Sequence, residues 1–354
     1  MPSLDEMAWK NIGIINSNKD KLYANDLLVA RSNFLKLRLD HETTIRRIYN
    51  GAADLVASEL KTMKPGIHLQ RAHKQAIEIT LRQAEQQIGE RTTFLIKDGM
   101  SKTAGYAGAP LENQFIRAIK AADAGEILNV TLMQRGFAEI NKAAIDALWA
   151  RTYKGVRVSD RLWKQSAKAK EAMRDLINAG FAAGRDPAKV AYDLQAYMKH
   201  GQGSLAQDYP NMMQRMGTRV PKNCPYEGLR LARTEYSKAS FEGTYSRGQV
   251  NPAYLGIQFL LSDAHPELDI CDHLAEADLY DMGPGVYKKG QEPIHPHPNC
   301  LCFTIPYMME QEAFVNDLVA WTRQPSSKPY LETWYKDIYI PRFGQGMPPM
   351  WAQN

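Results

Sequence analysis

Long apolar runs are absent from this 354-residue sequence, and so is a secretion signal at its start. No stretch of 18 or more apolar residues occurs, which argues against a transmembrane helix. The first residues, Met1-Pro2-Ser3-Leu4-Asp5-Glu6, lack the basic segment and the apolar core of a signal peptide. We therefore expect a protein that is made and assembled in a cytoplasm and does not contact a membrane.

Several catalytic motifs are also missing. The stretch Gly99-Met100-Ser101-Lys102-Thr103 resembles the end of a phosphate-binding loop, but the glycine before the lysine and a preceding strand are lacking. The His-Glu-x-x-His pattern of metalloproteases does not occur. His68 and His73 are five residues apart and so do not share a helix face for metal binding. These absences favour a structural protein over an enzyme.

Charge of one sign is never concentrated in a block, although the parts of the chain differ in charge. Residues 1–200 contain 31 Lys and Arg against 22 Asp and Glu, whereas residues 201–310 contain 9 against 13. A basic first part is typical of a protein that contacts nucleic acid or an acidic protein surface. Solvated helix faces would give the same counts, so both interpretations stay open.

Apolar residues recur at helical spacing through most of the first 200 residues. This pattern predicts helices at 23–63, 69–96, 111–123, 128–151, 159–183 and 187–199, with a small-residue loop at 98–110. Ser159 and Asp186 are the predicted N-caps of the last two helices, and Pro187 suits a first helical position. We expect these helices to form a bundle or extended hairpins.

The second part of the chain predicts a smaller mixed module. Periodicity fades between residues 200 and 224, and a helix at 229–247, a strand at 254–261 and a helix at 309–323 follow. The expected fold is α+β and predominantly α-helical. Its predicted parts are a basic helical domain at 1–200, a mixed α/β module at 201–310, and a C-terminal helix with an extended arm at 311–354. The arm, rich in proline and aromatic residues, is expected to lie on a neighbouring subunit.

Only four cysteines occur, and three of them lie with three of the eight histidines between residues 271 and 302. Thiolate sulfur and neutral imidazole are the ligands that zinc prefers in structural sites. The glycine-rich loop at 283–290 would let the chain fold back and close such a site. The preferred ligands are Cys271, His297, Cys300 and Cys302, with His273 as the rival, because one-residue spacing strains a tetrahedral site.

Other interpretations of the cluster stay open. A disulfide from Cys271 to Cys300 or Cys302 would close the same loop, and plain buried cysteines are a further alternative. A nucleophilic pair of Cys271 and His297 is disfavoured, as is a catalytic metal that keeps an open position. On the preceding helix, Arg233 and Glu235 are candidates for a buried structural ion pair.

The order of these features resembles the phage Mu protein F-like head morphogenesis domain of tailed-phage minor head proteins. That family typically closes with His-Pro-x-Cys-Arg-Cys, so His297, Pro298, Cys300 and Cys302 match, and Leu301 replaces the arginine. The family usually opens with Cys-x-x-Cys. Cys271 matches the first cysteine, but Leu274 stands at the second, where His273 would have to substitute. The resemblance covers residues 155–306.

The resemblance implies a minor capsid protein that is not an enzyme and that binds near the portal inside the head. It implies a role in head assembly, DNA packaging or DNA passage, in several copies, after assembly in the host cytoplasm. Portal and capsid proteins and packaged double-stranded DNA, bound without sequence specificity, are the implied partners. A structural zinc ion is the expected cofactor. The alternative is a metal-dependent nuclease or peptidase that uses the Cys/His cluster.

Overall fold

The computed structural model describes residues 21–64, 71–205, 223–262, 265, 268–293, 297–298, 300 and 302–344. The predictions for His68, for most of the segment 200–224 and for residues 345–354 lie outside these described residues. Helices dominate the described part of the chain, and its strands form two small antiparallel sheets. The predicted class, a predominantly α-helical α+β protein, is confirmed.

The chain divides into two compact units, each assembled from separate stretches of sequence. The first unit combines residues 1–38, 99–148 and 233–354, and the second combines residues 39–98 and 149–232. The predicted boundaries at residues 200 and 310 do not match this division. The boundary at 200 follows a loss of periodicity and that at 310 precedes a predicted helix, whereas the unit borders fall inside continuous helices, which no change of composition marks.

The first predicted helix is present as α1, which spans Lys21–Lys61. Most of its apolar residues at helical spacing are buried, among them Leu27, Phe34, Ile45 and Leu60, whereas Leu39 is 43% exposed. Helical periodicity therefore located this element correctly, to within two residues at either end.

The second helix, α2, spans Arg71–Ala121 without interruption, so the predicted loop at 98–110 is wrong. The small residues of this stretch serve close helix packing instead of a turn. A Cβ atom on Gly243 of α6 (Cys224–Gln249) would collide with the carbonyl of Ala104. The Arg247 guanidinium donates to the Gly105 carbonyl at 3.0 Å, which joins the same two helices. Glycine is favoured here because the backbones approach too closely for larger side chains.

The middle of the chain forms α3 (Val130–Ala150), a two-stranded hairpin, α4 (Val158–Ala182) and α5 (Pro187–His200). The hairpin pairs β1 (Thr152–Tyr153) with β2 (Val156–Arg157) through a turn with positive φ at Lys154 and Gly155. A short 3₁₀ helix, Gln202–Leu205, follows α5. Asp186 caps α5 as predicted, since its carboxylate accepts the Ala188 amide at 2.9 Å. The N-cap of α4 is Arg157, so the prediction of Ser159 is wrong.

A three-stranded antiparallel sheet follows α6 in the first unit. Its order is β4 (Val286–Lys288), β3 (Tyr254–Leu260) and β5 (Phe303–Met308), with β3 in the centre. A short helix, α7 (Ile270–Glu276), lies between β3 and β4 in sequence. The predicted strand at 254–261 is therefore confirmed as β3.

The C-terminal segment is helical and packs into the core of its own unit, which corrects the predicted extended arm. It forms α8 (Gln311–Arg323), a 3₁₀ turn (Pro325–Ser327), α9 (Pro329–Trp334), a π-helical turn (Tyr335–Tyr339) and α10 (Ile340–Phe343). Its prolines stand in the first turns of helical segments, where proline is tolerated. The aromatic residues recur at helical spacing and are buried together: Trp321, Trp334, Tyr335, Tyr339 and Phe343.

Candidate metal centre

The three clustered cysteines lie at the ends of regular elements in the first unit. Cys271 is the second residue of α7, and Cys302 directly precedes β5. All four cysteines of the chain are free, so the alternative of a disulfide is not present. Cys271, Cys300 and Cys302 are at most 3% exposed and share one apolar cluster with residues of β3 and β4. The segment with Cys271 and the segment with Cys300 and Cys302 therefore lie together, as the glycine-rich loop between them predicted.

The side-chain donor atoms of the cluster lie close together. Cys271 Sγ lies 3.5 Å from Cys300 Sγ and 3.2 Å from His297 Nε2. Cys302 Sγ lies 3.7 Å from Nδ1 of His265, a residue that the sequence analysis did not select. Three groups of donors could hold a metal ion: His265 with Cys271 and Cys302, Cys271 with His297 and Cys300, and His265 with Asp269 and Asp272. The first two groups share Cys271, and the first and third share His265.

These distances can be compared with those of a tetrahedral zinc site. With Zn–S bonds of about 2.3 Å and Zn–N bonds of about 2.0 Å, two sulfur ligands lie about 3.8 Å apart. A sulfur and a nitrogen ligand lie about 3.5 Å apart in the same geometry. The observed separations of 3.5 Å between sulfurs and 3.7 Å between Cys302 and His265 are close to these values. These two separations are compatible with tetrahedral zinc coordination.

His273, the predicted rival ligand, is exposed on α7 and belongs to none of the three groups of donors. Residues two apart on a helix point to different sides of it. Because Cys271 points inward, His273 points to solvent. Four of the five ligands that the sequence suggested, all except His273, belong to these donor groups, and the structure adds His265.

His265 is held from both sides of its ring. Nε2 lies 2.9 Å from the Asp272 carboxylate, and Nδ1 faces Cys302. Its backbone amide donates to the Ser262 carbonyl at 2.8 Å. The hydrogen bond to Asp272 raises the pKa of His265 above its ordinary value. The only sequence signal for this ligand was its position six residues before Cys271, a spacing longer than that of zinc knuckles.

The N-terminus of α7 fixes the position of Cys271. Asp269 caps the helix and accepts the Cys271 amide at 2.6 Å, and the Asp269 amide donates to Asp272 at 2.8 Å. These reciprocal bonds form a capping box. The hydrogen bond from the Cys271 amide holds the pKa of Asp269 below its ordinary value, and that from the Asp269 amide does the same for Asp272.

The loop between the two cysteine-bearing segments is also fixed. Gly285 has φ +70, and a side chain there would meet the carbonyls of Phe259 and Ala275 at 2.6 and 2.9 Å. The Ser237 hydroxyl donates to the Cys300 carbonyl at 3.1 Å, which ties the closing segment to α6. Positive φ at Gly283, Gly285 and Gly290 confirms the predicted turn-forming loop.

The three thiols have different proton affinities. Hydrogen bonds from Cys300, from the Ser262 backbone amide and from Cys271 lower the pKa of Cys302, and its burial only partly opposes them. Donation to Cys302, followed by burial, raises the pKa of Cys300. Burial raises the pKa of Cys271. These shifts predict that Cys302 is the first of the three to ionise in the metal-free protein.

Arg233 and Glu235 both lie on α6, and Glu235 is fully buried whereas Arg233 is half-buried. Residues two apart on a helix do not face each other. The helix therefore does not favour a direct pair between them, and the predicted pair stays a prediction.

No protein-family model, curated protein or solved structure matches the chain. Within the described residues, no helix has both the length and the apolar character needed to cross a membrane. The resemblance to the Mu F-like domain rests on the quoted residues of the cluster and on the elements that carry them.

Proposed function

We propose that this chain is a minor capsid protein of head morphogenesis in a tailed phage, with a structural zinc ion in its Cys/His cluster. One observation carries the proposal. Four residues of the resemblance, Cys271, His297, Cys300 and Cys302, lie in two overlapping donor groups beside a small antiparallel sheet. This proximity is what a closing Cys/His motif requires.

Zinc is the metal that this donor set favours. Three thiol groups and an imidazole are soft to borderline ligands, which suit zinc better than magnesium or calcium. The cysteines are buried, and Asp269 and Asp272 are both engaged in the α7 capping box. A site of this kind closes a fold and does not activate a water molecule, which is why we propose a structural role and not an enzyme.

The second unit supplies the charge for the proposed contact with packaged DNA. Residues 39–98 and 149–232 contain 24 Lys and Arg against 15 Asp and Glu, whereas the rest of the chain contains 20 against 24. Many of the basic side chains of this unit are exposed: Arg46, Arg47, Lys61, Lys64, Lys74, Arg91, Lys154, Arg157, Lys164, Lys168 and Lys199. Such a surface neutralises phosphates without reading base sequence.

The proposed location is tested in particles assembled in the host. The protein is expected in purified heads, in a small number of copies that co-purify with portal protein, and its absence from washed particles would contradict the proposal. Cys271→Ala should lower both its metal content and its incorporation into heads. Cys224→Ala is the matched control, because Cys224 is also buried but lies outside the cluster, where its sulfur contacts the Tyr197 hydroxyl at 3.2 Å.

DNA contact is tested separately by measuring affinity for double-stranded DNA of unrelated sequences over a range of salt concentrations. Affinity should be independent of sequence and fall steeply with salt. Arg47→Ala combined with Arg91→Ala should reduce the slope of log affinity against log salt by about 2. Lys142→Ala in the first unit is the control, since this lysine pairs with Asp146 at 3.3 Å. An unchanged slope would point to an acidic protein partner instead.

A further inference from the structure

The chain between α3 and α4 combines a small hairpin with a strongly basic stretch of the second unit. Residues 151–170 contain seven Lys and Arg and a single acidic residue, Asp160. The stretch includes both strands of the β1–β2 hairpin and the first half of α4. Resting on the proposed contact with packaged DNA, we propose that this hairpin enters the major groove of double-stranded DNA while the basic side of α4 contacts the phosphates beside it.

Both faces of the hairpin are open to solvent. Thr152 and Tyr153 are consecutive residues of β1 and point to opposite faces, yet both are exposed, Tyr153 by 57%. Lys154 in the turn and Arg157 at the end of β2 are exposed as well. A hairpin that only connected two helices could cover one of its faces against them. The side chains of this one are available to a partner on both faces.

The turn of the hairpin carries a residue that its backbone does not favour. Lys154 and Gly155 have φ +52 and +76, the positive values that a tight two-residue hairpin turn requires. Asparagine and glycine adopt such values readily, whereas the side chain of a lysine is crowded there by its own backbone. The turn therefore does not explain the lysine. Contact with DNA does, because the major groove presents acceptor atoms of the bases between two rows of phosphates.

The basic side chains continue from the hairpin along one side of α4. Arg161, Lys164 and Lys168 are spaced three and four residues apart, which places them on the same side of the helix. Arg157, the N-cap, precedes Arg161 by four residues. Lys164 and Lys168 are exposed, and among the residues that the structure describes no carboxylate pairs with them or with Arg157. These three charges are therefore available to phosphates.

The size of the hairpin selects the groove and the kind of nucleic acid. Its two strands lie about 4.8 Å apart before side chains are counted, and the major groove of B-form DNA, about 12 Å wide, admits a two-stranded ribbon. The minor groove, about 6 Å wide, is too narrow for it. The major groove of double-stranded RNA is deep and narrow, so the same hairpin would stay outside it. Double-stranded DNA is the partner that both the shape and the charge of this surface fit.

The test replaces three of the cations by residues that suit the local backbone. Lys154→Asn introduces a residue that the turn favours, Arg157→Ser a favoured N-cap, and Lys164→Gln another good helix former. The triple variant should keep the thermal midpoint of the wild type. Its slope of log affinity for double-stranded DNA against log salt should fall by about 2 to 3, since each neutralised phosphate contributes about 0.9.

The matched control removes the same charge from exposed positions of the first unit. Lys120→Gln, Arg135→Gln and Lys142→Gln together should leave the slope of the wild type unchanged. Lys154→Asn alone then separates entry into the groove from contact with phosphates outside it. It should lower affinity for DNA by about 8-fold at 0.1 M salt, the contribution of one neutralised phosphate, and leave affinity for double-stranded RNA of the same length unchanged. Equal losses on DNA and RNA would overturn the entry of the hairpin into the groove.

The remaining outcomes separate this inference from the proposed function. A triple variant with the slope of the wild type would overturn the inference, while the DNA contact would stand if Arg47→Ala with Arg91→Ala lowers the slope. Unchanged DNA binding together with lost incorporation into heads would overturn it in favour of an acidic protein surface. A wild type whose affinity for DNA does not depend on salt would overturn the proposed DNA contact and this inference together.

Discussion

Zinc binding is expected to release about two protons from the metal-free protein at pH 8. All three cysteines must be thiolates when they bind the ion. Before binding, the lowered pKa of Cys302 makes it the thiolate, because Cys300, Cys271 and the Ser262 amide donate hydrogen bonds to its sulfur. The raised pKa values of Cys271 and Cys300 keep these two groups protonated. Their two protons are the ones released.

The sign of the pH dependence follows from the same shifts. Because the thiols with raised pKa hold their protons in the metal-free protein, acid opposes binding and base favours it. Two released protons make the apparent affinity for zinc about 100-fold higher for each pH unit. The dependence becomes steeper as pH falls through the lowered pKa of Cys302, since a third proton must then leave. Metal-linked stability is therefore present at alkaline pH and lost on acidification.

A measurement at pH 9 separates this arrangement from ordinary cysteines. Three thiols with the usual pKa of about 8.5 would be mostly ionised at pH 9 and would release less than about one proton on binding. The cluster should still release about two protons there. Calorimetric titration with zinc in buffers of different ionisation enthalpy gives the number directly. A release below one proton at pH 9 would refute the reasoning, and Cys224→Ala should leave the number unchanged.

Two further predictions concern packing, and each has a control of the same residue type. Phe343→Ala should lower the free energy of unfolding by about 3 kcal/mol, because it removes a buried ring that packs 5.4 Å from the ring of Phe137. Phe94→Ala, at a side chain that is 76% exposed, should change the free energy of unfolding little. Equal denaturation midpoints for the two variants would indicate that Phe343 does not pack in the core and would favour the extended arm. Gly243→Ala should destabilise the protein by at least about 2 kcal/mol, since the added methyl group collides with the backbone of α2. Gly51→Ala, where nothing lies within 4 Å, should be neutral or stabilising by about 0.5–1 kcal/mol in the same denaturation experiment. Equal effects of Gly243→Ala and Gly51→Ala on the free energy of unfolding would show that α2 and α6 can move apart without cost.

Most of the fold could be predicted from helical periodicity, and the elements that were predicted wrongly have a common cause. The prediction interrupted α2 at 98–110, because glycine and alanine there gave no amphipathic pattern. Local sequence cannot distinguish a glycine that permits a turn from one that permits a close neighbour. Gly243 and Ala104 lie far apart in sequence, and only their tertiary contact explains why both are small.

The C-terminal segment shows the same limitation in another form. Proline and aromatic residues suggested an extended arm, yet Pro325, Pro329 and Pro341 stand in the first turns of helical segments. The Trp334 indole donates to the Val250 carbonyl at 2.8 Å, and the Tyr339 hydroxyl accepts the Asn129 amide at 2.7 Å. Both partners lie more than 80 residues away in sequence. Composition predicted that these aromatic groups need a partner surface, but it could not predict that the chain itself provides it.

For the candidate metal site, motif spacing found the cysteines because cysteine is rare in this sequence and three of the four lie close together in it. Spacing could not choose the histidine, since His265 reaches the cluster through the fold of the segment before α7. His273 was the rival ligand because the segment was read as a knuckle, whereas the capping box makes it the start of a helix. Once the segment is known to be a helix, its period explains why Cys271 points into the core and His273 points to solvent.

The proposed metal ion would stabilise the segment between β3 and β5. Among the described residues of 261–302 there are only one helix of seven residues and one strand of three. Of the five side chains that are buried among these described residues, Cys271, Cys300 and Cys302 belong to the cluster, and the other two are Val286 and Tyr287. A metal ion bound by sulfur would join the two ends of this segment, and we therefore expect zinc binding and local folding of the segment to be one coupled event.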